Sequence, residues 1–146
     1  MKKKKIVSAI LLAVVLAALW FLNTDADKPD IPGISEDGYY YSKDEVALYI
    51  DSFGHLPGNY ITKEEARSLG WDGGPLDPFA PDMAIGGDSF SNREGLLPKG
   101  KKYRECDIDT HKKGRGEKRI IYSSDGCIYY TDDHYESFEL LYGEEE

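Results

Sequence analysis

Cysteine is scarce in this chain of 146 residues: there are two, Cys106 and Cys127. Two cysteines exclude a disulfide-dense scaffold and a four-cysteine zinc site. Histidine is almost as rare, with His55, His111 and His134. No two of these residues have the short spacing of ordinary zinc motifs, which leaves only a mixed site assembled by the fold. Positive charge is in deficit, 18 Lys and Arg against 27 Asp and Glu, for a net charge of −9. A generally basic nucleic-acid coat is thereby excluded, whereas a local cationic site is not. What the chain has in quantity is aromatics, 12% of residues including 11 tyrosines, too many for a disordered polymer. One packed domain is expected at this length.

The N-terminus has a different character. Lys2 to Lys5 precede an uncharged apolar run from Ile6 to Leu22. A basic stretch ahead of an apolar one marks an export signal, and the run is also just long enough to span a bilayer. Residues 1–26 therefore read as a signal peptide cleaved near Ala26, or as an N-terminal membrane anchor with the domain outside. Residues 27–38 carry Pro29, Pro32 and Gly33 among acidic residues and read as a linker. The folded domain is expected over residues 39–146.

Within it, Ser42-Lys43-Asp44-Glu45 forms a capping box ahead of Val46, Tyr49, Ile50 and Phe53, which lie on one face of a helix. Gly54 fits its left-handed end. Thr62-Lys63-Glu64-Glu65 opens a second, short helix ending near Gly70. From Met83 the pattern changes to alternation. Strands are predicted over Ala84–Gly87, Tyr103–Asp109, Lys118–Ser123, Gly126–Thr131 and Ser137–Leu141, with Ser124-Asp125 in a tight turn. Helices followed by consecutive strands indicate an α+β domain, helices packed on one antiparallel β-sheet.

Local charge departs from the net value. From Lys99 to Arg119 there are nine basic and four acidic residues. Alternation in Arg104-Glu105-Cys106-Asp107-Ile108-Asp109 puts Glu105, Asp107 and Asp109 on one face and Cys106 and Ile108 on the other. Arg119, on the strand expected to pair next, can lie beside those carboxylates. Carboxylates and arginines on one sheet face suit an anionic substrate and a proton-transfer group, and His134 could close the site.

Five blocks carry a family resemblance. They are Leu56 to Lys63 (LPGNYITK), Ile85 to Gly95 (IGGDSFSNREG), Arg104 to Ile108 (RECDI), Arg119 to Asp125 (RIIYSSD) and Thr131 to Tyr135 (TDDHY). In this order they resemble the barnase-like secreted bacterial guanyl-preferring ribonucleases, over roughly Tyr39 to Tyr142. The resemblance implies cleavage of single-stranded RNA 3′ of guanosine by transesterification to a 2′,3′-cyclic phosphate, then hydrolysis. It implies Glu105 as general base, His134 as general acid, and Lys63, Arg115 and Arg119 as phosphate and transition-state ligands. Asp107 would orient the arginines. The loop Phe90, Ser91, Asn92, Arg93, Glu94 would read guanine, with Glu94 accepting from the base edge and Phe90 and Tyr135 flanking or stacking on bases. No metal and no cofactor is implied. The partners implied are RNA and a barstar-like inhibitor protein, with the enzyme a monomer, secreted or anchored at the outer face of the cytoplasmic membrane. The alternative is a barnase-like toxin or binding module with little activity in isolation, against which the complete catalytic set argues.

Three departures accompany the resemblance. The domain is acidic where well-known members are basic, Gly54 stands where the family has a helix-terminal histidine, and Gly126 follows Ser124-Asp125 where a tryptophan is expected. The family sheet order also bears on Cys106 and Cys127, because it places one strand between theirs. Two strand steps span nearly 10 Å, beyond the reach of about 7 Å for a disulfide. Two buried free thiols on opposite faces are predicted.

Overall fold

The computed structural model describes residues 32–145. The signal or anchor expected over residues 1–26 lies outside the described residues. The compact unit takes in Ile34 to Gly38, upstream of the boundary expected at Tyr39. Ile34 is buried, and the Tyr49 hydroxyl donates to the Glu36 carbonyl at 2.6 Å. An isoleucine the domain can cover adds several residues to the packed chain.

Helix α1 spans Lys43–Phe53. The Ser42 side-chain oxygen accepts from the Glu45 N–H and donates to the Glu45 carboxylate at 2.7 Å. Gly54 ends the helix at φ 76°, a left-handed conformation that costs a residue without Cβ little. Val46, Ala47, Tyr49 and Ile50 form the buried face. A two-residue strand β1, Tyr60–Ile61, follows. Helix α2, Lys63–Ser68, starts from a full capping box between Thr62 and Glu65.

Five strands complete the domain: β2 Ala84–Phe90, β3 Tyr103–Asp107, β4 Arg119–Ser123, β5 Ile128–Thr131 and β6 Glu139–Tyr142. They form one six-stranded sheet in sequential order, β1 parallel to β2 and every other pair antiparallel. This is the expected α+β class. Strand β1 had no legible signal, since two residues show no period. Gly86 permits the close approach of β1, β2 and β3: a Cβ there would lie 2.6 Å from side-chain carbons of Cys106 and Tyr60.

The sheet has two unlike faces. On one, Cys106, Ile108, Ile120 and Ile128 pack against Val46, Ala47 and Ile50 of α1. Burying each large aliphatic side chain contributes roughly 1.5–3 kcal/mol. On the other, Tyr103, Ile121, Cys127 and Tyr129 gather with Leu97 at one end. Cys106 and Cys127 are free and buried, and they belong to these opposite faces, as predicted.

One expected alignment fails. Strand β3 stops at Asp107, and Asp109 adopts φ 58° with its carboxylate on Lys118 at 3.1 Å. Its backbone N–H donates to the Tyr41 carbonyl, so a loop contact overrides the alternation that would have kept Asp109 beside Glu105.

Candidate active site

The open face of the sheet is polar along one row. In the antiparallel register Asp107 faces Arg119, and Arg119 faces Thr131. Directly opposed residues share a face, so pairing alone sets a buried carboxylate against a buried guanidinium. The Asp107 and Arg119 side chains are 2% and 3% exposed. Arg115 closes the group from the preceding loop, its fork donating to both Asp107 oxygens at 2.8 and 2.9 Å. The other side of Arg115 lies over the Trp71 ring at 5.9 Å. Hydrogen bonding to Asp107 raises the Arg115 pKa further, so its charge is permanent.

Arg119 is held by its own backbone surroundings. Its Nη1 donates to the Lys118 and Arg115 carbonyls at 2.8 and 3.1 Å. Its Nε lies 3.0 Å from Asp107 Oδ1, but the N–H does not point along that line. The pairing is therefore coulombic, and among the described residues this N–H is the one buried side-chain donor without an acceptor. An unsatisfied buried donor costs about 1–3 kcal/mol, offset here by the adjacent Asp107 charge.

Glu105 sits two residues from Asp107 on the same face, its side chain 13% exposed. Lys63, the first residue of α2, reaches one carboxylate oxygen at 3.3 Å. The Tyr135 hydroxyl donates to the other at 2.7 Å. Burial first, then this bond to Glu105, raises the Tyr135 pKa, so the phenol stays protonated and keeps donating. The Asp88 carboxylate accepts from the Lys63 backbone N–H at 3.1 Å, seating the start of α2 on β2.

His134 and Tyr135 follow β5 in a turn where both have positive φ, 53° and 74°. That strained backbone is held by two side chains the sequence reading had not singled out. Thr131 Oγ1 accepts from the Tyr135 N–H at 3.1 Å and donates to Asp133 at 2.8 Å. Asp133 in turn accepts from the Ser137 hydroxyl and N–H, and these bonds, the hydroxyl first, lower its pKa to about 2. The turn points Tyr135 toward the cleft and leaves His134 exposed, its ring 4.8 Å from that of Tyr135.

A smaller pocket of about 170 Å³ adjoins this row, lined by Phe90, Ser91, Asn92, Arg93, Glu94, Leu96, Tyr135 and Phe138. Phe90 stacks on Tyr135 at 5.3 Å and 20°, and meets Phe138 edge-on at 6.3 Å. Phe90 is thus half-buried packing and pocket wall together. The Asn92 side chain donates to and accepts from the Leu97 backbone, at 2.9 and 3.1 Å. Its amide closes the loop, which leaves backbone groups and Glu94 to meet a ligand. Leu96 and Phe138 had no signal beyond being apolar in a polar stretch. A wider groove, about 950 Å³, extends past the end of α1 and shares only Phe90 and Ser91 with this pocket.

The structure therefore gathers Lys63, Glu105, Arg115, Arg119 and Tyr135 at one face, with His134 on the adjoining turn. That arrangement has a permanent cation pair, a carboxylate with oriented partners, and an imidazole open to solvent. It is suited to holding an anion while protons move.

Comparison with known proteins agrees. The family model described as ribonuclease matches residues 43–142. A ribonuclease of Heyndrickxia coagulans is 50% identical over 102 residues, which cover 67% of this chain and 94% of that protein. A ribonuclease of Bacillus intermedius shows the same identity over the same length but is spanned only to 63%. The guanyl-specific ribonuclease St of Saccharopolyspora erythraea is 41% identical over 71 residues, 47% of this chain and 65% of its own. A family match over most of the packed domain, with half-identity to a bacterial enzyme along nearly its whole length, shows that the chain belongs to the barnase-like family of bacterial ribonucleases.

Proposed function

We propose that the protein is an extracellular endoribonuclease that cleaves single-stranded RNA 3′ of guanosine, using side chains alone for its acid, base and electrophilic groups. In the first step Glu105 takes the proton of the ribose 2′-OH as that oxygen attacks the adjacent phosphorus. The bond from phosphorus to the 5′-oxygen breaks, and His134 protonates the departing alkoxide. The product is a 2′,3′-cyclic phosphate. Water then opens the ring with the two roles exchanged.

The observation that carries this reading is the cluster of three cations, Lys63, Arg115 and Arg119, held by Glu105 and Asp107 on one face of the sheet. Asp107 holds Arg115 and Arg119, and Lys63 adds a third cation next to the base. Donors fixed before the reaction stabilise charge on the phosphorane oxygens without reorganising. Exposure of His134 lets it exchange protons with water between the steps. The pocket of Phe90 to Glu94 supports guanine preference, backbone N–H groups meeting the base oxygen and Glu94 its N–H edge. The basic and apolar run of residues 2–22 supports export, by a cleaved signal or an anchor.

The test is a guanosine-containing dinucleotide incubated with the protein in EDTA across about pH 5 to 8. The expected product is guanosine 2′,3′-cyclic phosphate. Absence of product throughout would overturn the reading in favour of a binding module.

A further inference from the structure

A second group of side chains converges away from this site, on the surface between the loop after Trp71 and the loop after β3. His111 Nε2 lies 2.8 Å from Asp82 Oδ1. Asp77 Oδ1 accepts from the Asp82 N–H at 3.1 Å. One ligand atom from each of these residues lies within 4.8 Å of the others. The His111 ring is held by Tyr41, stacked at 4.1 Å and 12°. The Tyr41 hydroxyl donates to the Asp82 carbonyl at 2.6 Å, fixing the same aspartate. The imidazole and the Asp82 backbone are thus placed by Tyr41, from outside the trio.

We infer that Asp77, Asp82 and His111 form a binding site for a divalent transition ion of the Zn²⁺ class, which ties these two loops together. Zinc bonds to imidazole nitrogen and carboxylate oxygen are about 2.0–2.2 Å, so neighbouring ligand atoms sit about 3 Å apart or slightly more. The His111–Asp82 pair is already at that spacing and needs only to exchange its shared proton for the ion. Asp77, with a ligand atom within 4.8 Å of both, swings toward the pair to complete the set. Two carboxylates and a neutral imidazole match a double positive charge, and water completes the tetrahedron. The imidazole favours a transition ion over Mg²⁺, which prefers oxygen donors and retains its waters. Asp82 and His111 are 54% and 37% exposed, which gives the ion a way in. Lys112 is the neighbouring cation acting on Asp82, and it competes with the ion.

The position gives the site a consequence. The same loops carry Trp71 and Arg115, which are in contact with one another. An ion between them stiffens the support of Arg115 without touching the reacting groups, and the cleavage proposed above does not depend on it.

The experiment is calorimetric titration with Zn²⁺ of the protein carrying His134→Ala, which removes the active-site imidazole, together with its thermal unfolding. One equivalent of Zn²⁺ is expected to bind and to raise Tm with concentration. His111→Ala and Asp77→Asn, added singly, are each expected to weaken binding about tenfold or more. Asp77→Asn retains an oxygen for the Asp82 N–H, so the loop keeps its shape, and circular dichroism checks the fold. Absence of Zn²⁺ binding overturns the site, as does retained affinity in either variant. Displacement of Zn²⁺ by equimolar Mg²⁺ overturns the ion class.

Discussion

Strand β3 has two different interiors one residue apart. Cys106 points into the aliphatic layer under α1, while Glu105 and Asp107 point into a layer of charges on the other face. Both layers are buried, yet they are held by opposite physics. The helix-covered face needs shape and volume, and its parts are exchangeable among similar apolar groups. The charged face needs every partner present, since a buried charge that loses its counter-ion is costly. The same backbone register supplies both, so one sheet carries an aliphatic layer on one side and the candidate site, beside a second apolar cluster, on the other.

Substitutions sharpen this contrast. The largest effect is expected for His134→Ala, a change at an exposed residue. Rates of dinucleotide cleavage should fall about 10²–10⁴-fold while Tm moves little. Near wild-type rates would show that the acid lies elsewhere. Glu105→Ala should impair the same step with some residual cleavage, because the acid and the cations remain.

Asp107→Ala should unite loss of stability with loss of function. Removing the partner of two guanidiniums is expected to cost about 3–5 kcal/mol by denaturant unfolding. Affinity for RNA should fall too, because Arg115 and Arg119 lose their common anchor. A stable variant with unchanged affinity would show that the arginines are positioned by their backbone bonds alone.

Ile120→Val probes the opposite face, next to the same guanidinium in the chain. It should lower stability by about 0.5–1.5 kcal/mol and leave the cleavage rate of the folded enzyme unchanged. If the rate fell in step with stability, the two faces would be mechanically coupled.

Glu94→Gln tests the base pocket rather than the reaction. It retains size but replaces an acceptor with a donor, so preference for guanosine over adenosine should narrow while cleavage chemistry persists. An unchanged ratio in competing dinucleotides removes Glu94 from recognition.

The smallest expected effect is one of pH, at the turn that presents His134. The folded pKa of Asp133 is lowered to about 2, below the unfolded value of about 3.9. Its contribution to stability is therefore present above about pH 4 and is lost as pH falls through about 2. Wild type and Asp133→Asn should accordingly differ most near neutrality and converge in acid, as followed by thermal unfolding. A gap of constant size across that range would assign the aspartate a purely steric role.

Much of this was legible in the chain, because local physics was at work. The caps at Ser42 and Thr62, the left-handed end at Gly54, and the alternation through Glu105, Cys106 and Asp107 each depend on neighbours within a few residues. The family blocks added the candidate site residues themselves. The two-residue strand β1 and the departure of Asp109 from its row were decided by distant partners, as were the capture of Asn92 by Leu97 and the locking of the His134 turn by Thr131 and Asp133. So was the unsatisfied Arg119 N–H, which exists only because strand register and two loop carbonyls fix the rest of that guanidinium. Sequence determines what each residue can donate, accept or bury; which of those capacities are used up inside the fold, and which side chains are left facing the cleft, is settled only when the long-range contacts have formed.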